Sequence, residues 1–339
     1  MRSVQQHLAT LAPASRGDGV IEVGTMASGA AIALPYLVLR GAAPGPCLWI
    51  NGQVHGNELN GVFAALDFFH GLDAARVRGA VVVTPTANPS ALDTRQRRTP
   101  LDEQDLDQSF PGRAGGLPSQ RLAAALLEAL REVADLVISM HCVGPHSASR
   151  PYGVYKLHPN GKVAEAELLA LIAPFQPMVA CHMSVAGGSG ELPGDNEGAL
   201  DYQVLALGKP AFMIELGNGA RCEPAFVAQA VAGFTGVAAR LGMIEAPRGD
   251  PPTAVLKAGK RRHLSCRHGG LFRATCAPGD RVAAGQPLGT IVDLYGRTLE
   301  TIAADEPALV ISVRQEPVVH SGDRCAFVAT DCAMVALTA

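Results

Sequence analysis

The sequence lacks any apolar run approaching the ~18 residues of a membrane span, which argues against a helical transmembrane segment. It lacks an export signal as well: Arg2 is followed by a broken apolar stretch, Leu8 to Pro13, too short for a signal peptide. Its eight Cys (Cys47, Cys142, Cys181, Cys222, Cys266, Cys276, Cys325 and Cys332) form no C-x-x-C pair, and in a chain of 339 residues without an export signal they read as reduced thiols of a cytoplasmic protein. There is no excess of positive charge. The formal net charge is -3 and the pI about 6.4, which argues against a nucleic-acid or anionic-membrane partner and leaves small molecules or proteins. Repeats and low-complexity tracts are absent, and no Lys follows Lys260.

What is present is ample core-forming material, 48% hydrophobic residues drawn mostly from Ala, Val and Leu, in a length that suggests about two domains. Short apolar runs alternate with helical patterns through residue 245. Strands are expected at Leu37–Leu39, Cys47–Asn51, Ala80–Thr84, Leu136–Met140 and Ala211–Glu215, and helices at Glu58–His70, Gln120–Val133, Val163–Ile172 and Ala225–Leu241. Short, wholly apolar strands between longer helices point to an α/β sheet covered on both faces. A breaker cluster, Pro247-Arg248-Gly249-Asp250-Pro251-Pro252, reads as a linker. Beyond it, short β-rich runs are punctuated by Pro278-Gly279-Asp280, Ala284-Gly285-Gln286, Tyr295-Gly296 and Ser321-Gly322-Asp323. The expected organisation is an α/β unit over residues 1–246 and a small all-β unit over 253–339.

Ligands of open α/β sheets gather at the carboxyl ends of strands. Cys47–Asn51 leads into His55 and Glu58, Ala80–Thr84 into Asn88-Pro89, Leu136–Met140 into His141, and Phe212–Ile214 into Glu215. Two His and one Glu would give a catalytic zinc three protein ligands and leave one position open for water. A second Glu nearby can take a proton from that water and pass it to a leaving amine.

These segments, Asn51-Gly-Gln-Val-His55-Gly-Asn-Glu58, Asn88-Pro-Ser-Ala91 followed by Arg97, Asp105-Leu106, Phe110-Pro-Gly112, His141 and Glu215-Leu-Gly217, resemble the succinylglutamate desuccinylase/aspartoacylase family, a branch of the zinc carboxypeptidase superfamily. Order and approximate spacing agree over about residues 20–245, and the β-rich tail looks like the family's C-terminal domain. The resemblance implies a carboxypeptidase-like α/β fold, one zinc per chain on His55, Glu58 and His141, Glu215 as general base and acid, and Arg97 facing the carbonyl oxygen as it becomes an oxyanion. Arg95 and Arg98 flank Arg97, so this choice rests on register with the family.

One stretch departs. The family pattern Asp-Leu-Asn-Arg, whose Asn-Arg pair binds a substrate carboxylate, reads Asp105-Leu106-Asp107-Gln108 here. A carboxylate would meet repulsion from Asp107 and lose a bidentate partner, so a neutral or cationic group is expected there. Asn88 and Arg150, in the loops after two of the strands, are further substrate-binding candidates with Asp107 and Gln108; Arg150 reads equally well as a surface charge. Cys142 reads as a small buried hydrophobe, and His146, His158 and His182 as surface or supporting residues. The stretch Val282-Ala-Ala-Gly285-Gln-Pro-Leu-Gly289 resembles hairpins of lipoyl and biotinyl carrier domains, but with no Lys after Lys260 the module is left a packing or gating role. The expected activity is zinc-dependent hydrolysis of the amide bond of a small N-acyl compound other than N-acyl-aspartate. An esterase or carboxypeptidase with the same site, or a non-catalytic binding protein, stays open, and so does a homo-oligomer.

Overall fold

The computed structural model describes residues 3–185, 196–246 and 249–337. Arg2 and the Pro247-Arg248 start of the breaker cluster lie outside the described residues. In chain order the elements are α1 (Val4–Thr10), β1 (Ser15–Thr25), β2 (Ala31–Arg40), β3 (Ala43–Asn51), α2 (Asn60–Gly71), β4 (Arg78–Thr84), α3 (Pro89–Thr94), α4 (Pro118–Val133), β5 (Leu136–Val143), β6 (Ser147–Ser149), β7 (Tyr152–Tyr155), α5 (Glu165–Ile172), β8 (Ala180–His182), α6 (Leu200–Ala206), β9 (Ala211–Asn218) and α7 (Pro224–Arg240). They continue with β10 (Ala254–Ala258), β11 (Lys260–Ser265), β12 (Gly270–Ala274), β13 (Arg281–Val282), β14 (Pro287–Val292), β15 (Thr298–Ala303), β16 (Ala308–Arg314), β17 (Val318–Val319), β18 (Arg324–Thr330) and β19 (Ala333–Ala336).

The large mixed sheet runs β1-β2-β4-β3-β5-β9-β7-β8-β10-β19. Its centre, β4, β3, β5 and β9, is parallel. Leu48, Trp49 and Ile50 are wholly buried, as a strand covered on both faces requires, and the Trp49 indole N–H donates to Thr84 Oγ1 at 3.0 Å. Helix α2 packs against α7, and α4 against α6 and α1. Proline opens both α4 and α7, where its missing N–H costs nothing, and Leu122, Leu126 and Leu130 carry the buried stripe of α4. Among the described residues no helix is long and apolar enough to cross a membrane, and all eight Cys are free.

The β-rich tail forms two further antiparallel sheets, β11-β18-β16-β13 and β15-β14-β12-β17, around a core that includes Phe272, Leu288, Ile291, Val310 and Val328. Hydrogen bonding crosses between the two parts of the chain. β10 and β19 extend the large sheet, with β10 parallel to β8, while β6 pairs with β16 and the Ser149 hydroxyl donates to the Ile311 carbonyl. Tyr152, Val154, Met213, Ile311 and Phe327 share a further core between them. The expected helix from Glu58 starts instead at Asn60, because Glu58 belongs to the turn before it: its N–H donates to the His55 carbonyl, and its carboxylate is turned into the site.

Candidate metal and catalytic site

The parallel register sets the scaffold. Asn51 of β3 stands beside Thr84 of β4 and Ser139 of β5, and His141 of β5 stands directly beside Glu215 of β9. The turn after β3 then brings His55 and Glu58 back over these strand ends. Gly56 makes the turn possible: a Cβ there would lie 1.9 Å from the Ala91 carbonyl carbon at the start of α3.

The three side chains converge. His55 Nδ1 lies 2.8 Å from Glu58 Oε1, His141 Nδ1 lies 3.3 Å from Glu58 Oε2, and all three residues are buried. Their ligating atoms lie within 4.8 Å of one another. The outer nitrogens are held by other groups: His55 Nε2 is 2.9 Å from Asp105 Oδ1, and His141 Nε2 is 3.2 Å from the Ser139 hydroxyl. The Cys142 backbone N–H donates to Glu58 Oε2 at 3.1 Å. Both imidazoles thus turn Nδ1 toward one carboxylate while a second group fixes each ring. This donor set fits a divalent metal ion, with the orienting shell such sites carry. Burial disfavours an imidazolium at His55, yet the adjacent Glu58 outweighs it and the pKa is raised to about 9. A positive charge is therefore favoured in this space, and a metal cation supplies one.

Two carboxylates differ sharply. Asp105 accepts from Arg97 Nε at 3.1 Å as well as holding His55; burial works against its charge, but His55 and Arg97 keep its pKa low. Glu215 is pushed the other way, first by burial, and its Oε2 is buried with no hydrogen-bond partner. A buried polar atom without a partner is uncommon and marks a candidate functional group. Arg97 also donates to Glu58 Oε1 at 3.3 Å and is half-exposed, so its guanidinium reaches from the metal group into the cavity. Arg95 instead ends α3 in the left-handed conformation, and Arg98 donates to the Glu103 carbonyl.

Residues 44–241 match the succinylglutamate desuccinylase/aspartoacylase catalytic domain, and they make up more than half of the chain. The chain belongs to this family. It is 25% identical over 307 residues to the N-alpha-acetyl-L-2,4-diaminobutyric acid deacetylase of Halomonas elongata, covering 88% of this chain and 86% of that one. Among solved structures it resembles the ectoine utilization protein EutE of Ruegeria pomeroyi, in a product-bound form, at TM-score 0.80 and 24% identity over 94% of this chain and 97% of that one. A succinylglutamate desuccinylase/aspartoacylase structure from Rhodobacter sphaeroides matches at TM-score 0.79 and 24% identity over 96% of each chain.

Around this centre lies a cavity of about 550 Å³. Its walls include the expected His55, Arg97, Asp107, Gln108, His141 and Glu215. Two substrate-binding expectations fall elsewhere. Asn88 is wholly buried: its amide donates to the Val54 carbonyl and the Thr99 hydroxyl, and its oxygen caps α3 at Ala91, so it fixes the loop rather than lining the cavity. Arg150 lies against the turn at Gly279, away from the cavity wall. Asp107 stays where the pattern placed it, with Oδ1 accepting from the Leu200 N–H at the start of α6; burial raises its pKa.

Asp105 joins the site as well, and its only signal in the sequence is a carboxylate eight residues beyond Arg97. Tyr152, which stands opposite Glu215 in the β7–β9 register, and Arg261, His263, Arg314, Arg324 and Phe327 of the β-rich tail line the cavity too. No local pattern marks those, since only the docking of the tail brings them to the site.

Proposed function

We propose that this chain is a zinc-dependent deacylase that cleaves the amide bond of a small N-acyl compound carrying an amine, with an N-acylated diamino acid as the substrate class. The observation that carries the reaction type is the buried, unpartnered Oε2 of Glu215 on the strand next to His141. His55, Glu58 and His141 would hold the zinc, which when bound polarises the acyl carbonyl and makes water a nucleophile near neutral pH. Glu215 takes the proton of the attacking water at Oε2 and returns it to the leaving amine. Arg97, held at Nε by Asp105, offers guanidinium N–H groups to the oxygen on which negative charge develops. Val154, Met183, Met213 and Phe327 give the cavity an apolar portion beside these polar groups.

Asp107 supports the amine. It is a carboxylate in a poorly solvated wall with no ion-pair partner among the described residues, so an incoming ammonium group relieves the cost of its charge. The deacetylase of Halomonas elongata, by its name, acts on an acylated diamino acid. The free cysteines support a reducing, cytoplasmic setting.

The test is a hydrolysis screen of zinc-loaded protein on N-acetylated diamino acids, N-acetylaspartate and N-succinylglutamate. Diamino compounds should be cleaved best, and Asp107→Asn with Gln108→Arg should raise kcat/KM on the dicarboxylates by roughly 10²-fold. Efficient cleavage of N-acetylaspartate by the unaltered chain, with no gain in the double variant, rules the substrate class out.

A further inference from the structure

The wall that carries Asp107 has a second group of buried charges behind it. Lys156 follows β7 directly, and strand alternation puts it on the face of Tyr152 and Val154, two residues of the cavity wall. Lys156 itself is wholly buried, with Nζ 3.1 Å from Sδ of Met213, so its ammonium group stands behind a wall residue. Asp201 of α6, equally buried, accepts from the same Nζ at 2.7 Å with Oδ1 and at 2.9 Å with Oδ2. Asp107 belongs to the same frame. Its Oδ1 accepts at 3.2 Å from the N–H of Leu200, the residue before Asp201. The Phe110 N–H donates to the Gly198 carbonyl at 3.1 Å, and a Cβ on Gly198 would lie 2.4 Å from the Gln108 carbonyl oxygen. The loop of Asp107 is thus laid tightly on the chain entering α6. Burial raises the Asp107 pKa; the charge of Lys156 works against that rise, and the charge of Asp201 works with it. Lys156 therefore acts on both carboxylates but is bonded to one. A buried ammonium that loses its partner takes another where it can, because an unpaired buried charge is costly, and Asp107 is the carboxylate to which Lys156 would turn.

We propose that Asp201 is a positioning residue for substrate selection: by engaging Lys156 on both carboxylate oxygens, it leaves Asp107 open to the ammonium group of the substrate. This rests on the reading of the substrate as an N-acyl diamino acid and names the group that secures it. Lys156 and the substrate amine are rivals for Asp107, and the second carboxylate decides the competition. The three buried charges sum to one negative, so an ammonium group beside Asp107 completes a balanced set of two carboxylates and two cations.

The test compares kcat/KM for Nα-acetyl-2,4-diaminobutyrate and for Nα-acetylnorvaline, in which a methyl group replaces the ammonium group. The unaltered, zinc-loaded chain should favour the diamino compound by about 10–100-fold, the usual worth of a charge-assisted contact. Asp201→Asn keeps the shape of the side chain and the oxygen that accepts from the Tyr202 N–H. It should remove most of that preference, chiefly by raising KM for the diamino compound. Adding Lys156→Met to Asp201→Asn takes away the rival cation and should restore the preference. A role in packing alone would lower both substrates together and give no such recovery. Circular dichroism and zinc content check that each variant is folded and loaded. Where Asp201→Asn alone does not fold, Lys156→Met with Asp201→Leu, which lacks both charges, should keep the preference, and its loss there overturns the proposal. A preference that survives Asp201→Asn, or one that Lys156→Met fails to restore, overturns the role of Asp201 and leaves the Asp107 reading standing. Equal kcat/KM on the two substrates in the unaltered chain overturns both.

Discussion

Asp105 is the most economical place to perturb this site, because one carboxylate contacts both His55 and Arg97. Its Oδ1 lies 2.9 Å from His55 Nε2, and its Oδ2 accepts from Arg97 Nε at 3.1 Å. Its pKa is lowered despite burial, so it is ionised at neutral pH and both contacts are charge-assisted. Asp105→Asn keeps the shape and removes the charge. An amide can offer its oxygen to only one of the two donors, so either His55 or Arg97 is left facing an N–H. If His55 loses its acceptor, ring orientation and ligand basicity suffer, and loss of such an orienting partner costs roughly 10–100-fold in metal affinity. If Arg97 loses its acceptor, the guanidinium swings away from the developing oxyanion, at a cost of roughly 10–10²-fold in kcat, below the value for removing a donor outright. Zinc affinity from competition with a chelating dye, and kcat at saturating zinc, read the two branches separately. A variant with both quantities at the original level would refute the idea that Asp105 organises the site.

Glu215→Gln should keep the fold and full zinc content while losing about 10²–10⁴-fold in kcat, and an unchanged rate would place the base elsewhere. Arg97→Ala should cost about 10²–10³-fold in kcat by steady-state kinetics, whereas Arg95→Ala, at the exposed end of α3, should cost little; equal losses would make the loop structural rather than catalytic. His141→Ala should strip the metal, because two protein ligands hold zinc poorly, and elemental analysis showing full occupancy would remove His141 from the ligand set. Behind the cavity wall, Lys156 Nζ lies 2.7 Å from Asp201 Oδ1 with both side chains fully buried. Lys156→Met should destabilise the chain by about 3–5 kcal/mol in urea unfolding, while Lys156→Met with Asp201→Leu should recover most of that; no recovery would mean that the cost lies in packing rather than in the unpaired charge.

The sequence by itself determined the parts of this protein that depend on neighbours along the chain. Apolar runs such as Cys47–Asn51 and Leu136–Met140 are strands because nothing else that short buries on both faces, and they deliver His55, Glu58, His141 and Glu215 to their carboxyl ends whatever lies beyond. The exchange of a carboxylate-binding pair for Asp107 and Gln108 was equally legible, since it is a local change of charge. The edge strands were not. β7 and β8 are three or four residues long, and their pairing with β9 and β10 is set by partners distant in sequence. The fates of Asn88 and Arg150 also needed tertiary structure, because surroundings decide whether a side chain faces a cavity: Asn88 is consumed by the loop around it, and Arg150 lies against the turn at Gly279. Most of all, only tertiary structure brought Arg261, Arg324 and Phe327 to the cavity that His55 and Glu215 begin. They lie at least 46 residues beyond Glu215 in the sequence, on strands whose own pattern reads as an independent module, and long-range docking of β6 onto β16 and of β10 onto β8 leaves no periodicity to detect.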